Sequence, residues 1–264
     1  QSSYRIYSRL HCTFVFPDEV GSPYDKDNME TYEKLSEILD MKETVGLKDA
    51  DEIALLEHES KKEFEVIEKL SKKMLKVLEQ EKDKYLSYDF VKDEGPLAKY
   101  APKYVSIIRA IEKSEGCCFV YSQFIEMVGL NTFSIALNAT GNYAPLVIIK
   151  EDGQYMLDKS AYKSDEEFKK MKKYIFYAGE NKDKDLRDIL RQIYNSEFDQ
   201  LPPSCRILKK ELEDLYGAGQ NLHGEVIKIF LTTRSEGIDL KNIRQIHIME
   251  PYWNFGRMNQ VFGR

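Results

Sequence analysis

Short apolar runs alternate with longer segments of helical periodicity through the second half of this chain. Residues 104–113 carry apolar side chains at 104, 105, 107, 108 and 111, the spacing of one helix face. Residues 117–121 then form a compact apolar run that predicts a strand, and 124–137 return to a helical pattern. A second strand is predicted at 174–177. A helix follows at 183–194, with Leu186, Ile189, Leu190 and Ile193 on one face. Two more strands are predicted at 227–231 and 245–249. Such alternation predicts an α/β fold in which helices cover a parallel sheet. No repeat of fixed period is present.

The first half reads differently. One apolar run, residues 12–16, is closed by Pro17-Asp18, and Asp18, Glu19, Gly21, Ser22 and Pro23 predict a turn or loop. From about 43 to 86 the composition shifts to Glu, Lys and Leu, with Ile67, Leu70, Met74, Val77 and Leu78 forming one apolar stripe at helical spacing. Two readings stand: a solvated helix packed on the core by that stripe, or a helical insertion that contacts a partner or nucleic acid. The division expected is an N-terminal segment with a charged helical region over 1–94 and a main unit over 95–264.

Composition narrows the class. With 264 residues and 42% hydrophobic content the chain can bury a core plus an appendage. No apolar stretch approaches the roughly 20 residues of a membrane span, so no membrane is expected as a partner. The first residues do not read as a secretory signal, because charges and tyrosines interrupt any apolar centre. Cys12, Cys117, Cys118 and Cys205 lack metal or disulfide spacing, and the adjacent pair reads as packing residues. A reducing compartment fits. The net charge of −6 speaks against strong independent nucleic-acid binding, which usually shows as a basic excess.

The chemistry concentrates at the C-terminal end. Thr232 to Asp239 form a polar turn after an apolar strand, where a parallel sheet presents its ligand-binding loops. Gly237 permits close backbone approach, and Asp239 can accept hydrogen bonds from a ribose hydroxyl or orient an arginine; an ordinary strand-to-helix turn with an Asp cap is the plain alternative. Gln260-x-x-Gly263-Arg264 places Gln260 and Arg264 one helical turn apart.

Taken together, Ser235-Glu236-Gly237-Ile238-Asp239, Trp253-Asn254 and Gln260-x-x-Gly263-Arg264 resemble motifs V and VI of superfamily 2 helicases and translocases, nearest their Swi/Snf-like branch. The resemblance extends upstream. Residues 103–111 with Phe119-Val120-Tyr121-Ser122-Gln123-Phe124 look like the helix and strand of motif IV. Tyr177-Ala-Gly-Glu180, Arg187 and Ile193-Tyr194-Asn195 are similar to the next block, with Ala178 where that block usually has Asp. Four blocks in family order span about 97–264.

The resemblance implies a RecA-like parallel sheet, the C-terminal lobe of an ATP-dependent helicase or translocase, with an N-terminal helical appendage or insertion. It implies an inter-lobe ATP site to which Arg264 and Gln260 bring catalytic groups and Glu236, Gly237, Asp239 and Gly263 bring nucleotide contacts. It further implies nucleic-acid contacts at Ser122, Gln123, Thr232 and Thr233. The sequence has no Gly-x-x-x-x-Gly-Lys-Ser/Thr. The phosphate loop, and with it the Mg2+ site, is therefore expected on an N-terminal RecA-like lobe of the same polypeptide. The family motif continues past the first arginine, so the chain is expected to be cut inside it and inactive alone.

Within the family the chain looks most like homologues from large DNA viruses, the group that includes the poxvirus nucleoside triphosphatase I and the small subunit of the early transcription factor. That implies a role in viral transcription, DNA or RNA as ligand, RNA polymerase or transcription-factor subunits as partners, and a site of action in host cytoplasm or virion. A replication or DNA-remodelling helicase, and a non-catalytic polymerase-docking module built on 43–94, are the competing readings. Other features carry no such expectation. Asp51-Glu52 lacks a strand to deliver it, Gly217-x-Gly219 lacks the third glycine of a dinucleotide loop, and His11, His58, His223 and His247 lack zinc-ligand spacing.

Overall fold

The computed structural model describes residues 12–21, 65, 68–125, 128–177, 184–217, 220–233 and 238–250. Five of their strands form a parallel sheet: β1 (Cys117–Tyr121), β2 (Tyr143–Pro145), β5 (Lys172–Tyr177), β6 (Ile229–Thr232) and β7 (Ile243–Ile248). Their order across the sheet is β2-β5-β6-β1-β7, and every neighbouring pair is parallel. An antiparallel hairpin, β3 (Ile148–Glu151) with β4 (Gln154–Leu157), stands apart. The principal helices are α1 (Pro102–Glu112), α2 (Leu130–Ala139), α3 (Asp165–Lys170), α4 (Lys184–Tyr194) and α5 (Arg206–Tyr216).

Alternation along the strands sorts side chains onto two faces. Cys118 and Val120 of β1, with Tyr174, Ile229 and Leu231, face a core built with α1 and α2. Cys117, Phe119 and Tyr121, with Ile175, Tyr177 and Phe230, face a second core built with α4, α5 and the hairpin. Both faces are covered, as a parallel sheet requires. This is an α/β RecA-like arrangement. The four cysteines are all free, and Cys117 and Cys118 are fully buried one to each face; burial pushes the Cys117 thiol up to about 12.

The described residues before α1 join the α1/α2 face. Residues 68–80 are helical, and Met74 and Leu78 are buried there with Leu70 packed beside them. Phe14, Phe16, Tyr85 and Leu86 enter the same core. The apolar stripe thus docks on the sheet while Lys72, Lys73, Lys76 and Glu79 remain in solvent. Ile67 lies outside the described residues.

One predicted helix is shorter than its pattern. The periodicity at 124–137 gives a helix only from Leu130, because the chain first folds back on itself. The Leu130 N–H donates to the Phe124 carbonyl at 3.0 Å and the Asn131 N–H to that of Ile125 at 2.8 Å. A Cβ on Gly129 would sit 1.9 Å from the Phe124 oxygen, so only glycine fits.

Candidate functional site

Connections leaving β1 and β6 diverge. The chain after β1 leads to α2, whose Leu130 and Phe133 pack on one face; the chain after β6 brings Ile238 and Leu240 to the other. Adjacent strands whose connections part to opposite faces open a crevice at their carboxyl ends, where α/β sheets bind ligands. Ser122, Gln123, Thr232 and Thr233 sit at that crevice, and the Ser122 N–H donates to the Thr232 carbonyl at 3.1 Å. The structure therefore brings these four sequence-predicted positions together.

Their side chains divide into two kinds. Ser122 and Thr232 are fully buried. The Thr232 hydroxyl donates to the Tyr177 carbonyl at 2.7 Å, holding the ends of β5 and β6 together. The Ser122 hydroxyl lies 2.9 Å from Glu250 Oε2 and accepts the Phe124 N–H at 3.0 Å. Gln123 and Thr233 are half-buried, and so present the outward side chains of the group.

Glu250 gave no signal in the sequence beyond a charge directly after an apolar run. It is fully buried, and its Oε2 also accepts the Gln123 N–H at 3.1 Å. Behind it, Lys103 of α1 donates to the Met249 carbonyl and to the Thr13 hydroxyl, each at 3.0 Å. The Met249 N–H donates to the Tyr121 carbonyl at 2.9 Å, extending the β1–β7 ladder to this point.

On the other side of the crevice, Asn195 fixes the chain after β6. It follows the last turn of α4 and is almost fully buried. Its Nδ2 donates to the Asp239 carbonyl at 3.0 Å, and its Oδ1 accepts the Lys241 N–H at 2.8 Å. Lys241 Nζ reaches Glu197 at 2.6 Å, and Arg191 reaches the same carboxylate at 3.4 Å. The hydrogen bond from Lys241 holds the Glu197 carboxyl below its ordinary range, and the same contact raises the Lys241 amine. Asp239 itself is exposed, with its carboxylate directed by a backbone that Asn195 has pinned. The resemblance singled out Asn195 by type, but its role as a clamp depends on a contact 44 residues away along the chain.

Among the described residues, the exposed carboxylate of Asp239 fits a sugar diol, and the amide and hydroxyl donors of the crevice fit a single phosphate edge. They do not make a whole triphosphate–metal site. Among the described residues no group of three His, Cys, Asp or Glu is placed to hold a metal ion. Glu236, Gly237, Gln260, Gly263 and Arg264 lie outside the described residues. No described helix is long and apolar enough to cross a membrane. A groove of about 780 Å³ lies elsewhere, between residues 87–95 and the C-terminal end of α2 at Ala139 and Thr140. It belongs to the opposite, amino-terminal edge of the sheet.

Comparison with known proteins finds relatives in large DNA viruses. The chain is 32% identical over 171 residues to a termination factor NPH-I homologue of African swine fever virus (isolate Warthog/Namibia/Wart80/1980), covering 62% of this chain and 22% of that protein. It is 29% identical over 170 residues to a putative ATP-dependent RNA helicase of Acanthamoeba polyphaga mimivirus, covering 64% of this chain and 22% of the relative. A second putative ATP-dependent RNA helicase of the same virus aligns over 99% of this chain at 23% identity, covering 31% of its own length. The homologues of this chain are thus NPH-I termination factor homologues and putative ATP-dependent RNA helicases of large DNA viruses. The chain spans about a fifth to a third of their lengths. No family model matches the chain, and no solved structure matches it.

Proposed function

We propose that this chain is the C-terminal RecA-like lobe of an ATP-dependent nucleic-acid helicase or translocase that acts in viral transcription, at initiation or termination. The observation that carries the reading is the crevice between β1 and β6. Ser122-Gln123 and Thr232-Thr233 lie on its two strand ends and Asp239 follows on the chain after β6, in a chain whose relatives are named as termination factors and helicases.

In this reading one wall of an inter-lobe ATP site comes from this lobe, through Glu236, Gly237, Asp239 and Gly263. Arg264 and Gln260 face the γ-phosphate, where the planar, permanently charged guanidinium of Arg264 meets the negative charge that grows in phosphoryl transfer. The phosphate loop and the residues that hold Mg2+ belong to the N-terminal RecA-like lobe. ATP supplies the phosphoanhydride bond whose hydrolysis drives movement. Nucleic acid lies along the carboxyl edge of the sheet. Backbone N–H groups after β1 and β6 and the side chains of Gln123 and Thr233 act as its donors, while the buried hydroxyls of Ser122 and Thr232 shape the strand ends beneath.

Steady-state ATPase kinetics on the intact polypeptide and on the 264-residue chain test this. The intact protein is expected to turn over ATP faster with nucleic acid, and the chain alone to show no turnover above a contaminant control. In the intact protein Arg264→Ala should lower kcat by roughly 10³-fold with a smaller change in nucleotide affinity, and Arg264→Lys should restore only part. Turnover by the chain alone, or an unchanged kcat for the alanine variant, overturns the reading.

A further inference from the structure

We propose that the turn at 88–95 and the groove beside it are a docking surface for a partner protein that presents a short basic segment with one aliphatic or aromatic anchor. This surface is independent of the function proposed above.

The turn is tightly built although its tip enters no core. The Asp89 N–H donates to the Glu94 carbonyl at 2.8 Å, and the Glu94 N–H to that of Asp89 at 3.2 Å. Asp89 Oδ1 accepts the Val91 and Lys92 N–H groups at 2.9 and 3.0 Å. Asp93, at φ 61°, accepts the Tyr88 hydroxyl at 2.6 Å and pairs with Arg109 of α1. Gly95 closes the turn at φ +154°, where a Cβ would meet the Ser87 oxygen at 2.6 Å. These ties hold Val91 out at 96% exposure, with Phe90 half-buried beside it against the Tyr88 ring. A lone exposed valine would carry no meaning. This one stands on a preset turn at the rim of the groove of about 780 Å³, whose far wall is Ala139, Thr140 and Asn142. A surface already fixed in shape loses little further freedom when a partner docks.

Charge selects the occupant. Between residues 79 and 94 six carboxylates stand against three lysines. Lys92 lies 3.7 Å from Asp89, and Arg109 is taken by Asp93, while the exposed Glu94 has no ion pair among the described residues. The opposite wall is the C-terminal end of α2, whose last turn holds no basic residue and whose terminal carbonyls carry partial negative charge. The groove therefore lies between two sources of negative potential, with Phe90, Val91 and Ala139 as its apolar lining. A Lys or Arg next to an aliphatic or aromatic side chain matches both features. A nucleic-acid backbone would meet like charge here, and so would a second copy of a chain whose net charge is −6. Because the groove is at the amino-terminal edge of the sheet, a partner held there leaves the crevice between β1 and β6 open.

The test is selection of short peptides from a random display library on the intact polypeptide, followed by anisotropy titrations with the enriched peptide. Enriched sequences should place Lys or Arg beside a Leu, Ile, Phe or Trp anchor. Val91→Ser removes the apolar tip and should raise the dissociation constant about fivefold. Glu94→Lys should raise it by about as much and make its salt dependence shallower. Both side chains are exposed, so both variants should fold. With Val91→benzoylphenylalanine, light should crosslink the enriched peptide to position 91. No enrichment, or enrichment of acidic or purely apolar sequences, overturns the proposal. An enriched basic peptide whose affinity neither variant changes binds elsewhere, and overturns it too. A crosslink from position 91 to another part of the same polypeptide assigns the surface to that part and likewise overturns the proposal.

Discussion

Asn195 donates its side-chain amide to the backbone carbonyl of Asp239, 3.0 Å away, and so ties the end of α4 to the chain that follows β6. The same side chain accepts the Lys241 N–H at 2.8 Å, a two-point clamp on three consecutive residues. Asn195→Ala leaves both backbone groups without this partner and should lower stability by about 1 to 2 kcal/mol, read from the urea midpoint at unchanged slope. Asn195→Asp keeps the acceptor for Lys241 and sets a carboxylate oxygen against the Asp239 carbonyl. Its midpoint should therefore also fall below that of the unaltered chain. Equal midpoints for all three proteins would show that the clamp carries no free energy.

Much of the sheet was legible because β1, β5 and β6 carry apolar runs with covered faces, and buried parallel strands advertise themselves in that way, while the edge strand β7 showed through Ile246 and Ile248. The edge strand β2 has three residues and ends in Pro145, too little for any periodicity to register. The hairpin carried a signal that the polar residues around it obscured: Asp152-Gly153, both at positive φ, between Ile148-Ile149 and Tyr155-Met156-Leu157. Helix α5 likewise shows Leu208, Leu212 and Leu215 at helical spacing, all buried. Within the site, motif positions told which loops meet at the crevice. That Ser122 would turn inward to Glu250, and Asn195 to Asp239, depends on contacts across 128 and 44 residues, which no local pattern encodes.

Gly129 offers a test of the backbone fold-back between β1 and α2. A Cβ there meets the Phe124 oxygen at 1.9 Å and its carbonyl carbon at 2.4 Å, both backbone atoms that cannot step aside as a side chain would. Gly129→Ala should cost about 1 to 3 kcal/mol in chemical denaturation. The Leu130-to-Phe124 hydrogen bond should break with it, visible as faster amide exchange at Leu130. An unchanged exchange rate would mean that the fold-back does not need glycine.

Lys173 is 1% exposed, with Nζ on the Phe168 and Met171 carbonyls and over the rings of Phe168 and Tyr162. Burial lowers its amine from 10.5 to about 8. Between those values the unfolded chain holds the proton and the folded chain has released it, so this lysine's contribution to stability rises with pH. The Cys117 and Cys118 thiols and the buried tyrosines, raised by burial, act in the opposite sense. They are common to a Lys173→Met variant and cancel in the difference. Relative to that variant, the unaltered protein should gain on the order of 2 to 3 kcal/mol between pH 8 and 10.5. Parallel stability curves for the two proteins across that window would place the ammonium in a more polar setting.

Nucleic-acid binding by this chain alone should be weak and only shallowly dependent on salt. The chain carries a net charge of −6, and the described residues of the crevice offer amide and hydroxyl donors rather than a row of cations. Each neutralised phosphate contributes about 0.9 to the slope of log K against log salt on duplex DNA, so a chain that binds through N–H groups should show a slope near that of one or two phosphates. Gln123→Ala and Thr233→Ala remove the outward side chains and should weaken binding without changing that slope. The helix at 68–80 buries its apolar stripe in the core and carries Lys69, Lys72, Lys73 and Lys76 between Glu68 and Glu79 on its outer side; with the crevice as the nucleic-acid surface, reversing Lys72 and Lys76 to Glu should leave affinity within about twofold. Anisotropy titrations at several salt concentrations decide the matter. A steep slope abolished by the two lysine reversals would assign the nucleic-acid surface to that helix instead of to the crevice.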